Sequence, residues 1–498
     1  MSVVDAEARD EGGIHEETAA EHIHGICLKT GPPRRVGVEL EWLVRDARDP
    51  SLPVPAGRIA AAVAGFGAGR LKPGHGFFGE DPRGPELPTS SAARLLPSGA
   101  PLTTEPGGQL ELSSLPADSL AELVRATHAD LAALRAALAA HGLELAGIGL
   151  DPLRPPRRVL DLPRYAAMEA FFDYGGPWGR QMMCGTASVQ VCLDAGDDSD
   201  GPFGYRWRWR LLHALGPVLV AAFANSPLRG GRPTGWASSR QQVWARMDPG
   251  RTRPPRLDGD PRAAWAAYAL DAELMCVRDV HSPDWSVPRG LTLRDWVRPT
   301  GNGRAERRLR RPTVDDLNYH LSTLFPPVRP RGHFELRMID AQPGDGWIVP
   351  LAVCWALLSD AKAAEAALAA VAPLWARQPH GWLTTAPSGN GAGRNGANGN
   401  GANGSANGGS ANGGSTNGGR AGVTDPDEPW LRAARLGPAD PLMAAVSREC
   451  FAVAAEALDR AGIPRDITRA VDAFRDAYVS KDRCPADDLL EECHDRAL

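Results

Sequence analysis

Lysine is almost missing from this chain: only four of its 55 basic residues are lysines, and the rest are arginines. Alongside so much alanine, glycine and proline, that bias points to a GC-rich bacterial genome rather than to a function. There is no excess of positive charge either. The formal net charge is −5, so no overall basic field draws in nucleic acid or an anionic membrane. No apolar run reaches the ~18 residues that a membrane-spanning helix needs. The opening MSVVDAEARDEGGIHEETAAEHIHG is acidic and lacks the apolar stretch of a signal peptide. The eight cysteines are scattered without CxxC pairs, which predicts reduced thiols in a cytoplasmic protein. A P-loop is absent, and so is a Rossmann GxGxxG fingerprint between a strand and a helix. Any nucleotide would have to be held through metal ions and arginines.

What is present is ordinary in bulk: 498 residues, 43% hydrophobic and 23% charged, enough for one elaborated catalytic domain. Four stretches are expected. Residues 1–30 form a polar lead-in with a possible short helix over Thr18–Cys27, and residues 31–385 form the catalytic domain. Residues 386–422 are Asn/Gly/Ser/Ala repetition that cannot bury a core, hence a flexible linker. Residues 423–498 form a helical segment packing back on the core, with a separate small helical module as the alternative.

Period-two alternation predicts strands over Arg35–Asp46, 108–115, Leu143–Leu150, Thr186–Leu193 and His333–Ile339. Helical spacing marks Ala117–His141, Arg206–Ala224, 262–278 and a buried helix over Ile348–Val371. The interspersion follows no regular βαβ spacing. The fold class expected is therefore α+β, with an antiparallel sheet surrounded by helices.

Residues i and i+2 of a strand share a face. Glu39 and Glu41 therefore point the same way, as do Gln109 and Glu111, then Thr186, Ser188 and Gln190, then Glu335 and Arg337. One strand with two glutamates is usually a solvated face. Four such strands facing one another would repel unless cations lay between them. Carboxylate and amide oxygens suit Mg²⁺ or Mn²⁺, and such ions beside an arginine suit phosphoryl transfer.

The segments VGVELEW, TTEPGGQLELSSLP, GIGLDP, RQMMCGTASVQVCLD, FANSPLRGGRPTGWASSRQQVWARMDPGRT and LSTLFPPVRPRGHFELRMIDAQP lie in this order over residues 35–350. In this the chain resembles the plant-type glutamate–cysteine ligases, and within them the actinobacterial branch that makes γ-glutamylcysteine for ergothioneine. The resemblance implies a glutamine-synthetase-like carboxylate–amine ligase core that uses ATP and Mg²⁺ (or Mn²⁺), with L-glutamate and L-cysteine as substrates. It implies Glu39, Glu41, Glu105, Glu111, Gln190 and Glu335 as metal ligands. Arg337 would face the transferring phosphoryl group beside Glu335. Arg240 would bind the substrate glutamate, while Gln109, Met183 and Trp244 would shape the amino-acid pockets. Oligomeric state stays open.

The chain departs from the plant pattern in three ways. Cys192 stands where that pattern has asparagine, the Asn/Gly tract is not a family feature, and no cysteine pair matches the regulatory disulfides. Cys184 and Cys192 are expected to be buried thiols rather than nucleophiles. Structural roles are expected for His333 and His128. The rival readings are a related ligase with a different acceptor amine, an inactive regulatory relative, and a two-carboxylate hydrolase.

Overall fold

A computed structural model describes residues 14–68, 93–279, 281–298, 309–376 and 429–497. The expected linker at 386–422 and the first 13 residues of the lead-in lie outside the described residues. The strands are β1 (Val36–Asp46), β2 (Gly67–Ala68), β3 (Arg94–Leu95), β4 (Pro101–Thr104), β5 (Leu110–Ser113), β6 (Leu143–Ala146) and β7 (Ser188–Asp194). They continue with β8 (Leu228–Arg229), β9 (Arg232–Pro233), β10 (Val328–Pro330) and β11 (His333–Asp340). Nine of them form one antiparallel sheet in the order β10-β11-β7-β1-β5-β4-β3-β2, with β6 paired to the far half of β1. β8 and β9 make a separate hairpin. The α+β class read from the sequence is the class observed.

The alternation in β1 explains its central place. Val36, Val38, Leu40, Trp42 and Val44 are all buried on one face, where each such side chain contributes about 1.5–3 kcal/mol on leaving water. Beneath that face lie the Tyr205–Ala222 and Ile348–Ser359 helices, both apolar nearly all round. The Leu120–Ala139 helix starts at Ser119, whose hydroxyl accepts from the Glu122 N–H, and it stops before Gly142, which takes φ +63°.

One expectation changes. The single buried helix over Ile348–Val371 is two, Ile348–Ser359 and Ala361–Trp375. Asp360 breaks it by leaving helical geometry to accept from the Ala363 N–H, a local bond that competes with the helix ladder. The short helix read over Thr18–Cys27 in the lead-in is present as Glu16–Cys27. Its Ala19, Ile23 and Cys27, spaced four apart, complete an apolar cluster with Trp265 and Ala269.

After the Asn/Gly-rich tract the chain returns to the body. The Pro429–Leu436 helix lies against Tyr205–Ala222 and Ser239–Met247. Its last carbonyls, on Ala434 and Arg435, accept from the backbone N–H groups of Ser238 and Ala237. Helix-end carbonyls need such partners, and here the loop leading into Ser239–Met247 supplies them. Among the described residues, no helix is long and apolar enough to cross a membrane.

Candidate active site

Strand register decides which polar side chains meet. Glu39 faces Gln190 of β7 and Ser113 of β5, while Glu41 faces Glu111 of β5, which in turn faces Thr103 of β4. Glu335 faces Cys192 on one side and Arg329 of β10 on the other. Directly paired residues share a face, so this row lies on the side of the sheet opposite the apolar core. Within it, the Gln190 amide joins a cation to an anion. Its Nε2 donates to Glu41 Oε1 at 3.0 Å, and its Oε1 accepts from Arg337 Nη1. The Ser188 hydroxyl donates to Glu41 Oε2 at 2.9 Å.

Between Leu336 and Ile339 the register slips, so Arg337 and Met338 together oppose Gln190. A bulge of this kind re-aims side chains and ends pairing at a sheet edge. The bulged carbonyls are taken by the Ser239–Met247 helix: Arg240 Nη2 donates to the Arg337 carbonyl at 2.7 Å, and Gln241 Nε2 to that of Met338 at 2.8 Å. Asp340 anchors the same region. Its carboxylate accepts from the Asn225 N–H and from the Ser226 and Ser238 hydroxyls at 2.7–3.0 Å. The ANSP, ASSR and RMID segments are thereby tied at one buried carboxylate.

Glu105 is placed by its turn. Gly108 takes φ +88°, which favours glycine, and a Cβ on Gly107 would come within 2.3 Å of the Cys184 carbonyl oxygen. Gln109 locks the turn: its Oε1 accepts from the Gly107 N–H, and its Nε2 donates to the Met183 and Thr186 carbonyls. The Gln109 amide is thus engaged with backbone. The Met183 side chain sits in an apolar cluster with Trp244 and Met247. Arg240 is 1% exposed, with its guanidinium over the Trp244 ring at 4.6 Å. Its Nη1 is ion-paired with Asp340 Oδ1 at 3.7 Å, and neither Nε nor Nη1 makes a hydrogen bond among the described residues.

Two halves of the face differ in charge. Burial, and then repulsion from Glu335, pushes Glu39 up to about 7; burial and Glu41 push Glu105 up to about 7. Glu111 is raised well above the ordinary range by burial and by Glu39, Glu105 and Glu41. Glu335 behaves oppositely. It is fully buried, yet Arg329, Arg337 and Arg331 hold it well below the usual carboxylate range. Arg329 grips it at 2.7 and 3.1 Å through Nη2, and Arg337 Nη1 donates to the same carboxylate. Glu335 therefore has arginine partners, which its expected role as a metal ligand did not foresee.

Among the described residues, no three carboxylate, histidine or cysteine groups converge into a ready metal cage. The donor set still fits a hard cation. Mg²⁺ is held by one or two carboxylates together with water and substrate phosphates, and the carboxylates of Glu39, Glu105 and Glu111 raise one another's affinity for positive charge. A cleft opens beside Arg337 and Met338, walled by Trp244 and by Trp430 and Leu431 of the Pro429–Leu436 helix.

All eight cysteines are unpaired. Burial pushes the Cys184 thiol up to about 12 and raises Cys192 well above the ordinary thiol range, so neither is an activated nucleophile. His128 pairs with Asp345 at 3.2 Å on an exposed surface, away from the carboxylate row. Sequence reasoning missed Arg329, Asp340 and Trp430. Arg329 had a signal, because the alternating arginines in VRPRGHFE form a tight hairpin with Glu335 through Gly332 at φ +80°. Asp340 and Trp430 had none, since their partners lie over 80 residues away.

Residues 35–407 match the family described as Glutamate-cysteine ligase family 2. The glutamate–cysteine ligase EgtA of Mycolicibacterium smegmatis is 42% identical over 364 residues, covering 72% of this chain and 77% of that protein. The same-named ligase of Mycobacterium tuberculosis is 36% identical over 499 residues, covering 98% of this chain and 93% of that one. A chloroplastic glutamate–cysteine ligase of Medicago truncatula is 31% identical over 250 residues, covering 49% of this chain and 47% of the plant protein.

Proposed function

The chain belongs to glutamate–cysteine ligase family 2 and is a glutamate–cysteine ligase; on that premise we propose how its site works. The γ-carboxylate of L-glutamate attacks the γ-phosphorus of ATP to give γ-glutamyl phosphate and ADP. The amine of L-cysteine then displaces phosphate, forming γ-glutamylcysteine for ergothioneine. Activation is required because a carboxylate and an amine do not condense unaided in neutral water.

The observation that carries this scheme is the charge division on one sheet face. Glu39, Glu41, Glu105 and Glu111 would hold Mg²⁺ (or Mn²⁺), which when bound neutralises phosphate oxygens and lowers the repulsion met by an attacking carboxylate. Arg337, at the bulge, directs its guanidinium along the same face and is steadied by Gln190 and Glu335. It supports the charge on the phosphoryl group in transit. Glu335 acts by fixing Arg337. The buried Arg240, held by Asp340 at 3.7 Å and with Nε making no hydrogen bond among the described residues, would receive a substrate carboxylate. Gln109, Met183 and Trp244 shape that region as turn lock and apolar lining. Unpaired thiols fit a cytoplasmic setting.

The test is turnover. With glutamate, cysteine, ATP and Mg²⁺ the protein should release ADP and form the γ-linked dipeptide, and EDTA should stop both. ADP release that ignores complete metal removal or needs no amine would defeat the scheme.

A further inference from the structure

We propose that the Pro429–Leu436 helix, which lies past residue 407 where the family match ends, is a positioning element of the catalytic site, and that Trp430, seated on Gly216, sets its place. The inference rests on the roles given above to Arg240 and Arg337, and adds what holds those two residues in register with each other.

The links run residue by residue. The Ser239–Met247 helix starts at Ser238, whose hydroxyl accepts from the Gln241 N–H and donates to Asp340 Oδ1 at 3.0 Å. Within its first turn, Arg240 and Gln241 take the carbonyls of the bulged Arg337 and Met338. The direction in which Arg337 leaves the sheet is thus tied to where this helix begins. That beginning is held from behind: the N–H groups of Ala237 and Ser238 donate to the carbonyls of Arg435 and Ala434 at 3.1 and 2.9 Å. Ser238 and Ala434 are both 1% exposed, so water cannot replace that bond if the two move apart. Packing alone would not require the arrangement, because a helix that merely covers apolar core has no need to direct its end carbonyls at the start of another helix.

The Pro429–Leu436 helix is fixed at both ends. Gly216 lies inside the buried Tyr205–Ala222 helix, where glycine is a poor choice. A Cβ there would come within 1.8 Å of the Trp430 ring, so the missing methyl is the seat of the indole. At the other end Gly437 takes φ +55°, and a Cβ on it would come within 3.2 Å of the Ala237 Cβ. Trp430 is in the first turn of this eight-residue helix and the two carbonyls are in its last, so a shift of the ring is carried along a rigid element to Ser238. Glu39, Glu41 and Glu111 stand on β1 and β5, which none of these bonds reaches.

The test uses the full chain. Gly216→Ala drives a methyl into the indole and should lower kcat by roughly ten- to a hundredfold, the scale of a 1 Å displacement transmitted to the chemistry. KM for glutamate should rise with it, through Arg240, while the magnesium requirement stays within about twofold. Gly216→Ala combined with Trp430→Phe, whose shorter ring leaves room for the methyl, should recover most of kcat. Gly437→Ala pushes the other end of the helix against Ala237 and should lower kcat in the same way; it decides the matter if Gly216→Ala does not fold. Urea unfolding of each variant establishes that folded protein is being assayed. A folded Gly216→Ala or Gly437→Ala with unchanged kcat and KM for glutamate overturns the inference. So does a double variant that regains stability without kcat, or a loss matched by an equal rise in the magnesium requirement. A wild-type enzyme that releases ADP without metal or amine would instead overturn the parent scheme.

Discussion

Replacing Arg337 by lysine keeps the charge and removes the fork, and the structure sets what that should cost. Nη1 of Arg337 is committed to Gln190 and Glu335, while Nε has no hydrogen-bond partner among the described residues. The guanidinium can therefore brace itself on the protein with one edge and present another to phosphoryl oxygens. A lysine ammonium is a single point. Bound to Glu335, it no longer reaches the phosphoryl group in the same geometry. Losing one preorganised donor to a transition state costs about 2.7–4 kcal/mol, or roughly a hundred- to a thousandfold in kcat. The retained charge trims the lower end to about tenfold. Stability should fall by less than ~1–2 kcal/mol, because Glu335 keeps Arg329. The magnesium requirement should stay within about twofold. Coupled measurement of ADP release across a magnesium series, with urea unfolding of the same variant, gives all three numbers. The matched control is Leu336→Met, a fully buried side chain on the apolar face, expected to be nearly silent in kcat. Full activity in Arg337→Lys together with an inactive Leu336→Met would refute both the register and the site.

Other outcomes follow from the same contacts. Arg329→Met should destabilise the fold by about 3–5 kcal/mol, the usual result of stripping a partner from a buried ion, less whatever Arg337 and Arg331 recover; unchanged urea unfolding would mean that Glu335 does not depend on it. Gly107→Ala should cost roughly 1–3 kcal/mol and lower activity as well, because backbone at Cys184 must move and Glu105 moves with the turn; thermal melting and kcat read the two effects. Burial lowers His213 to about 4, and His320 and His333 to about 3. All three folded values lie below the unfolded one of about 6.5, so the three add nothing above that pH. Below it only the unfolded chain takes up protons, and stability falls by about 1.4 kcal/mol per pH unit for each histidine until the folded pKa is reached. Urea midpoints from pH 6.5 to 4.5 should show this slope, and His320→Gln should remove roughly a third of the histidine share; an identical slope in the variant would contradict it.

What the sequence disclosed was local and periodic. The i, i+2 rule put Glu39 with Glu41 and Glu335 with Arg337 on shared faces, and the observed pairings of Glu39 with Gln190 and Glu41 with Glu111 join those faces into one. Periodicity does not carry partners across hundreds of residues. Nothing near Asp340 indicates that Asn225, Ser226 and Ser238 will bond to it, and nothing near Gly216 announces the indole of Trp430. The bulge was equally hidden, because HFELRMID alternates as a regular strand does, and only pairing with β7 shows that Arg337 and Met338 share one position. Gln109 is the reverse case. Its place in a motif suggested substrate contact, whereas its amide bonds to backbone at Gly107, Met183 and Thr186.

The electrostatic layout explains why the site is built in two halves. Carboxylates brought together out of water favour protonation, as Glu39, Glu105 and Glu111 do, and a protonated carboxyl is a poor ligand for Mg²⁺. The remedy cannot be more arginine among them, because a guanidinium there would occupy the position of the cation. The arginines are instead confined to the β10–β11 side, where three of them hold Glu335 down and also pull on Glu39 without undoing the rise that burial causes there. Gln190 stands at the boundary, neutral itself, with its amide nitrogen toward Glu41 and its oxygen toward Arg337. A charged residue at that position would extend one half into the other: an acid would bind Arg337 too tightly to leave it for substrate, and a base would neutralise Glu41. On this argument Gln190→Glu should hold Arg337 more firmly and lower kcat without unfolding the protein. A Gln190→Glu variant with unchanged kcat and unchanged magnesium dependence would show that the boundary has no catalytic consequence.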